Sequence, residues 1–185
     1  MRAMSEAEDL AFLLGRVAAG DKRAMKALYS AIGPDVYRFI QTRLRDPHEA
    51  ADALQETMLE VWRQADRFEG RASARTWVFS IARNKAVDRL RKTSTPVAEP
   101  DESIADDTPS PHSVMEALED ADALRQCIAG LSEVHRAAIQ LAYFQDLPYS
   151  QIAEAEDCSL GTVKTRVHHA KRLLMHCLTR ATTRQ

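Results

Sequence analysis

The sequence predicts an all-α protein of two small helical domains joined by a flexible acidic linker. Three observations predict it. Ala, Leu, Arg and Glu dominate, with only six glycines and few β-branched runs, a composition that favours helices. Apolar residues recur at three- and four-residue spacing along most of the 185-residue chain, the periodicity of amphipathic helices. Residues 93–113 break that pattern with Pro96, Pro100, Pro109 and Pro111 among Ser, Thr and Asp, a stretch that cannot bury a core. The first domain therefore spans residues 1–92 and the second residues 114–185.

In the first domain, Ser5-Glu6-Ala7-Glu8 is a capping box, followed by a stripe of Leu10, Leu13, Leu14 and Val17 that ends at Gly20. Asp21 caps a second helix with Met25, Leu28, Tyr29 and Ile32. Gly33-Pro34 breaks or kinks it before Val36, Phe39, Ile40 and Leu44 resume. Asp46-Pro47 supplies an N-cap and a proline at the first helical position, opening a long helix to about Arg67. Its core stripe is Ala51, Leu54, Met58, Val61 and Ala65; its other side presents Asp52, Gln55, Glu56, Leu59 and Trp62. An aromatic and a leucine beside carboxylates have two readings. Either Trp62 packs on a neighbouring helix, or the face docks a protein partner, for which aromatics are typical anchors.

A loop with Gly70 and Ser73 then leads into a helix that buries Val78, Ile81 and Ala82. Its exposed side offers Arg83, Asn84, Lys85, Arg89, Arg91 and Lys92. Cations interleaved with Phe68, Trp77 and an amide suit a single nucleic-acid strand, through stacking and phosphate neutralisation. A merely solvated basic helix is the alternative.

Beyond the linker, Val114, Leu118, Ala121, Leu124 and Ile128 form a helix stopped by Gly130. Ser132 caps the next, with Val134, Ala138, Leu141 and Phe144. Residues 148–174 read as helix, tight turn, helix. Ile152 and Ala153 give the first its apolar face, and Ser159 caps the second. Val163, Val167, Ala170 and Leu174 make its buried stripe; Thr165, His168, His169 and Arg172 fall opposite, flanked by Lys164, Arg166 and Lys171. Such a helix suits a major groove.

Formal net charge is only −2, but it is segregated. Residues 71–92 carry seven cations and one anion (Asp88), residues 93–124 nine anions and no Lys or Arg, and residues 160–185 six cations and no anion. Local fields of this kind, not the overall charge, govern association with nucleic acid. The three cysteines, Cys127, Cys158 and Cys177, are odd in number at scattered spacings, which predicts reduced thiols and no metal site. No Gly-rich phosphate loop or nucleophile–base pair appears, so no catalytic residues and no cofactor are expected. The lack of any long apolar run or signal-peptide core predicts a cytoplasmic protein without membrane insertion.

Three stretches, in order, resemble the extracytoplasmic-function sigma factors of bacterial RNA polymerase. Residues 51–62, from Ala51-Asp52-Ala53 to Glu60-Val61-Trp62, are similar to that family's conserved region 2.2. Residues 77–91, from Trp77-Val78-Phe79 to Arg89-Leu90-Arg91, are similar to regions 2.3 and 2.4. Gly161-Thr162-Val163-Lys164-Thr165-Arg166 is similar to the start of the region 4.2 recognition helix.

The resemblance implies a protein that binds core RNA polymerase, directs it to promoters and promotes melting. Asp52, Gln55 and Glu56, extended by Leu59 and Trp62, would face the clamp helices of the largest polymerase subunit. The loop from Phe68 to Thr76, with Arg71, Ser73, Arg75, Trp77 and Asn84, would capture flipped bases of the minus-ten element. Arg83, Lys85, Arg89, Arg91 and Lys92, beside Asp88, would hold its backbone. Ser159, Thr162, Lys164, Thr165, Arg166, His168, His169 and Arg172 would engage the minus-thirty-five element. The family often has proline at Ser159 and arginine or an aromatic at His168 and His169; histidine is mostly neutral at pH 7, which weakens contacts there or makes them pH-sensitive. The resemblance also implies an anti-sigma factor, at the inner membrane in some members, and no room for the larger relatives' region 1.1. A stand-alone helix-turn-helix regulator is the alternative, since Gly161-Thr162-Val163-Lys164 also resembles response-regulator output domains.

Overall fold

The computed structural model describes residues 6–93 and 121–182, and among these every regular element is helical. The capping residue Ser5, the linker, Val114 and Leu118 lie outside the described residues. Helix α1 (Glu6–Ala18) buries Leu10, Leu14 and Val17 and ends before Gly20, whose φ of 81° a side chain would resist. Helix α2 (Lys22–Gln41) starts at Asp21, whose carboxylate accepts from the backbone N–H of Arg23 at 2.8 Å and of Ala24 at 3.2 Å. The expected break at Gly33-Pro34 does not occur. Pro34 lies inside a continuous helix and is exposed, so the hydrogen bond that it cannot make is lost on the solvent side.

Helix α3 (Pro47–Gln64) opens as expected, with Asp46 accepting from His48 N at 2.7 Å and Glu49 N at 3.4 Å. A 3-10 turn (Ala65–Arg67) extends it. Its buried face is Ala50, Ala53, Leu54, Thr57, Met58 and Val61. Ala51 is only half-buried, one step off the stripe assigned to it.

Helix α4 (Ala74–Thr93) packs against α1, α2 and α3 through Ala74, Val78, Phe79, Ile81, Ala82 and Ala86. Its alanines let the backbones approach. Phe79 meets Phe39 of α2 edge-on, with ring centroids 5.1 Å apart, a favourable aromatic geometry.

The second unit comprises α5 (Ala121–Gly130), α6 (Glu133–Ile139), α7 (Tyr149–Glu156) and α8 (Leu160–Thr182). Ser132 stands at the start of α6, but its hydroxyl pairs with His135 Nδ1 at 3.0 Å and caps no backbone N–H. After α6 the chain makes a π-helical turn (Gln140–Phe144), which corrects the position expected for Phe144. The wider turn advances the phase, so Leu141, Gln145 and Leu147 are buried while Phe144 is 56% exposed. The turn between α7 and α8 passes through Asp157 in the left-handed region at φ 51°. Val163, Val167 and Ala170 of α8 are buried as expected, and Leu174 is half-buried.

The cysteine expectation is overturned for two of the three. Cys127 of α5 and Cys177 of α8 form a disulfide with Cα atoms 5.8 Å apart; Cys158 is free. The bond joins an apolar contact among Cys127, Leu178, Leu124 and Leu174. With 50 residues separating the partners, Cys127→Ser is expected to destabilise the second unit by about 4 kcal/mol on loop-entropy grounds. Urea unfolding of the full chain with and without reductant measures this; equal midpoints would show that the apolar contact suffices.

Candidate nucleic-acid interface

Cations on a helix that also fills a core need counter-charges within reach, or their burial is costly. The sequence assigns Arg83, Lys85 and Arg89 to an exposed face, whereas their side chains are 26%, 27% and 17% exposed. Each is paired. Lys85 Nζ reaches Glu60 at 3.1 Å. Arg89 reaches Glu49 at 2.5 Å, Glu56 at 2.6 Å and Asp52 at 3.8 Å. The Glu56 hydrogen bond, followed by that of Glu49, outweighs burial and raises the Arg89 pKa. Arg89 thus joins α4 to Asp52 and Glu56 of the suspected docking face. Hydrogen bonds from Lys85 and Gln64 hold the Glu60 carboxyl below its ordinary value.

Arg91, Lys92, Asn84 and Asp88 are exposed, and Asn84 accepts from Arg83 at 2.9 Å. Phe68 and Trp77 pair with centroids 5.6 Å apart, and Gly70, at φ 72°, turns the loop between them. Arg71 is exposed and pairs with Glu69 at 2.6 Å. Ser73 Oγ lies 2.7 Å from Thr76 Oγ1 and accepts from Thr76 N at 3.1 Å. The structure therefore brings Phe68, Ser73, Thr76 and Trp77 together at the entrance to α4.

Sequence reasoning missed what stands against that entrance. Gln151 of α7 accepts from both Ser73 and Thr76. Arg75 donates to Asp35 of α2 at 2.9 Å and to Gln145. Arg83 lies 3.7 Å from Asp157. Beneath them Arg43 Nη2 meets Glu156 Oε2 at 2.5 Å, with the two side chains 3% and 4% exposed. Burial opposes ionisation of Asp35, but hydrogen bonds from Arg75 and Arg38 prevail and hold its carboxyl below the ordinary value.

On α8, Ser159 does cap as expected, accepting from Thr162 N at 3.0 Å. Lys164 and His168 are exposed, while Thr165, Arg172 and His169 are half-buried. His169 stacks on the buried His135 of α6 with centroids 6.3 Å apart and a 10° interplanar angle. Arg166, 18% exposed, turns back to within 4.0 Å of Glu156, away from a purely reading role. Burial raises the Cys158 thiol pKa, opposed by Arg166.

Elsewhere on the first unit, Lys22, Met25 and Tyr29 of α2 join Gln55, Met58, Leu59 and Trp62 of α3 around a shallow apolar groove. Leu59 is 56% and Tyr29 44% exposed. Trp62 is half-buried against the core, as the packing reading has it, and also lines the groove. Met25 and Tyr29 were legible as part of the apolar stripe of α2, but helical spacing alone does not tell which α2 face meets α3, so their place in the groove was not. Among the described residues no helix is long and apolar enough to cross a membrane, and no three His, Cys, Asp or Glu side chains cluster as metal ligands.

Residues 28–95 match the Sigma-70 region 2 family and residues 121–174 the Sigma-70, region 4 family. The chain is 36% identical to the ECF RNA polymerase sigma factor SigK of Mycolicibacterium vanbaalenii, over 92% of this chain and 89% of that one. It is 35% identical to the ECF RNA polymerase sigma factor RpoE of Cereibacter sphaeroides, over 84% and 87%. Among solved structures, the sigma factor RpoE of Bartonella quintana, determined with the anti-sigma factor NepR, superposes with a TM-score of 0.62 at 26% identity, over 83% of this chain and 95% of that one. CnrH, determined with the cytosolic domain of CnrY, shares the fold at a TM-score of 0.64 and 20% identity, over 92% and 97%.

Because the Asp35 carboxyl is depressed in the folded chain, its stabilising contribution is present above the unfolded value of about 3.9 and lost as pH falls through the folded value. Asp35→Asn is expected to lower the urea midpoint at neutral pH, with the difference from the parent closing below about pH 4. A difference that persists undiminished into acid would show that Asp35 ionisation contributes nothing.

Proposed function

The chain belongs to the extracytoplasmic-function sigma factors of RNA polymerase, and we propose that it is a dissociable initiation subunit that brings core polymerase to a promoter and helps to open it, while the polymerase supplies the catalysis. Residues 1–92 form the unit that docks on polymerase and takes the minus-ten element, and residues 114–185 the unit that reads the minus-thirty-five element. The groove of Met25, Tyr29, Gln55, Leu59 and Trp62, together with Asp52 and Glu56, exposed on the same helix, receives the clamp helices of the largest subunit. Phe68 and Trp77 give a stacking platform for an extruded base, Ser73, Thr76 and Asn84 its polar edge, and Arg91 and Lys92 its phosphates. Lys164, Thr165, His168 and His169 face the major groove from α8. Such a chain works in the cytoplasm, under an anti-sigma factor like the one bound to the RpoE relative.

The observation that carries this reading is the exposed apolar groove on α2 and α3, which a stand-alone regulator does not need. With purified core polymerase and this chain, open complexes are expected on fragments of its own genome; their absence on every fragment would refute the reading. Trp62→Ala is expected to weaken core binding tenfold or more, the loss of about 1.4 kcal/mol or more that an aromatic anchor contributes. An affinity equal to the parent's would remove the groove from the interface. Lys164→Ala is expected to reduce the salt slope of promoter binding by about one, and an unchanged slope would rule out a phosphate contact there.

A further inference from the structure

Helix α7 does not merely abut the first unit; it places a side-chain amide on the entrance to α4. Ser73 Oγ donates to Gln151 Oε1 at 3.0 Å, and Thr76 Oγ1 donates to the same oxygen at 2.8 Å. Gln145, buried after the π-helical turn, accepts from Arg75, and Asp157 lies 3.7 Å from Arg83. A carboxamide carries a planar acceptor–donor edge of the kind that a nucleobase presents. Of the groups assigned to an extruded base, the Ser73 and Thr76 hydroxyls are thus already engaged from within the chain.

Two things hold α7 there: the apolar cluster, which continues from the first unit into Ile152 and Ala155, and the buried Arg43–Glu156 pair. Arg43 stands at the end of α2 with its guanidinium 4.9 Å from the Phe39 ring centroid, and Glu156 Oε2 is also within 4.0 Å of Arg166. Removing both charges from water is costly, and Glu156 Oε1 has no hydrogen-bond partner. The pair itself adds little net gain and regains hydration when it parts, so the seam rests on apolar contact that like charges at 43 and 156 would work against.

Resting on the minus-ten role of the 68–76 loop, we propose that the free chain blocks itself: Gln151 is a base-like plug in the Ser73–Thr76 pair, and Arg43–Glu156 is the latch that holds the plug in place. Opening of this seam precedes capture of a promoter base. The plug is an intramolecular competitor, so strand binding by the free chain reports how firmly it is held.

Small-angle scattering of the full chain, with anisotropy of a short labelled single-stranded DNA of mixed sequence, tests both parts. Arg43→Glu and Glu156→Arg each place like charges in the seam. Both are expected to increase the radius of gyration and to tighten strand binding, although they move net charge in opposite directions. The charge-swapped Arg43→Glu/Glu156→Arg chain should return both readings towards the parent. Gln151→Ala leaves the latch intact and is expected to tighten strand binding about tenfold, the worth of roughly two hydrogen bonds, at an unchanged radius; it keeps the plug testable should a charge reversal unfold the chain. An unchanged radius in both folded reversals overturns the latch, whatever the loop binds. Unchanged strand affinity in Gln151→Ala overturns the plug. Open-complex formation by the parent with core polymerase reports separately on the minus-ten assignment.

Discussion

The fold turns on one constraint: α4 must fill the centre of the first unit while carrying a dense row of cations. Its apolar and alanine positions, from Ala74 to Ala86, go to the core. Its charges are then met by carboxylates brought in on other helices: Asp35 from α2, Glu49, Asp52, Glu56 and Glu60 from α3, and Asp157 from the turn after α7. Unpaired, such half-buried charges would oppose folding. Paired, they give α4 a polar sleeve whose partners can be exchanged for other anions. A helix neutralised in this manner can sit at the centre of the unit without stranding its charges.

That arrangement explains how the surfaces are distributed. The apolar groove lies on α2 and α3, while Glu49, Asp52, Glu56 and Glu60 of α3 meet Lys85 and Arg89 of α4. Helix α3 therefore serves two neighbours at once, lending apolar side chains to the groove and carboxylates to the cations of α4. The second unit meets the opposite edge of α4, and the apolar cluster runs without interruption from α1 to Val167 of α8.

Local features were legible in the sequence because their causes are local. The caps at Asp21, Asp46 and Ser159 each need one side chain and the next three backbone groups. The motif stretches around Asp52–Trp62, Trp77–Arg91 and Gly161–Arg166 carried the family because order and residue type survive without coordinates. Phe144 was misplaced because a π-helical turn shifts the phase, and no single residue announces one. Pro34 looked like a break because the sequence does not say that it faces solvent. Arg43 and Glu156 are 113 residues apart, and a chain with 25 cations and 27 anions offers far too many pairings for charge alone to choose among them. The Cys127–Cys177 bond was hidden for a similar reason: spacing does not reveal which helices will run side by side.

Helix α8 runs for 23 residues, close to 35 Å at about 1.5 Å per residue. Its first turns carry Lys164 and His168, and its far end is covalently fastened through Cys177 to α5. A rod anchored at one extremity acts as a lever. A load applied near Lys164 and His168 is carried along the rod to Cys177 and delivered through the disulfide to α5.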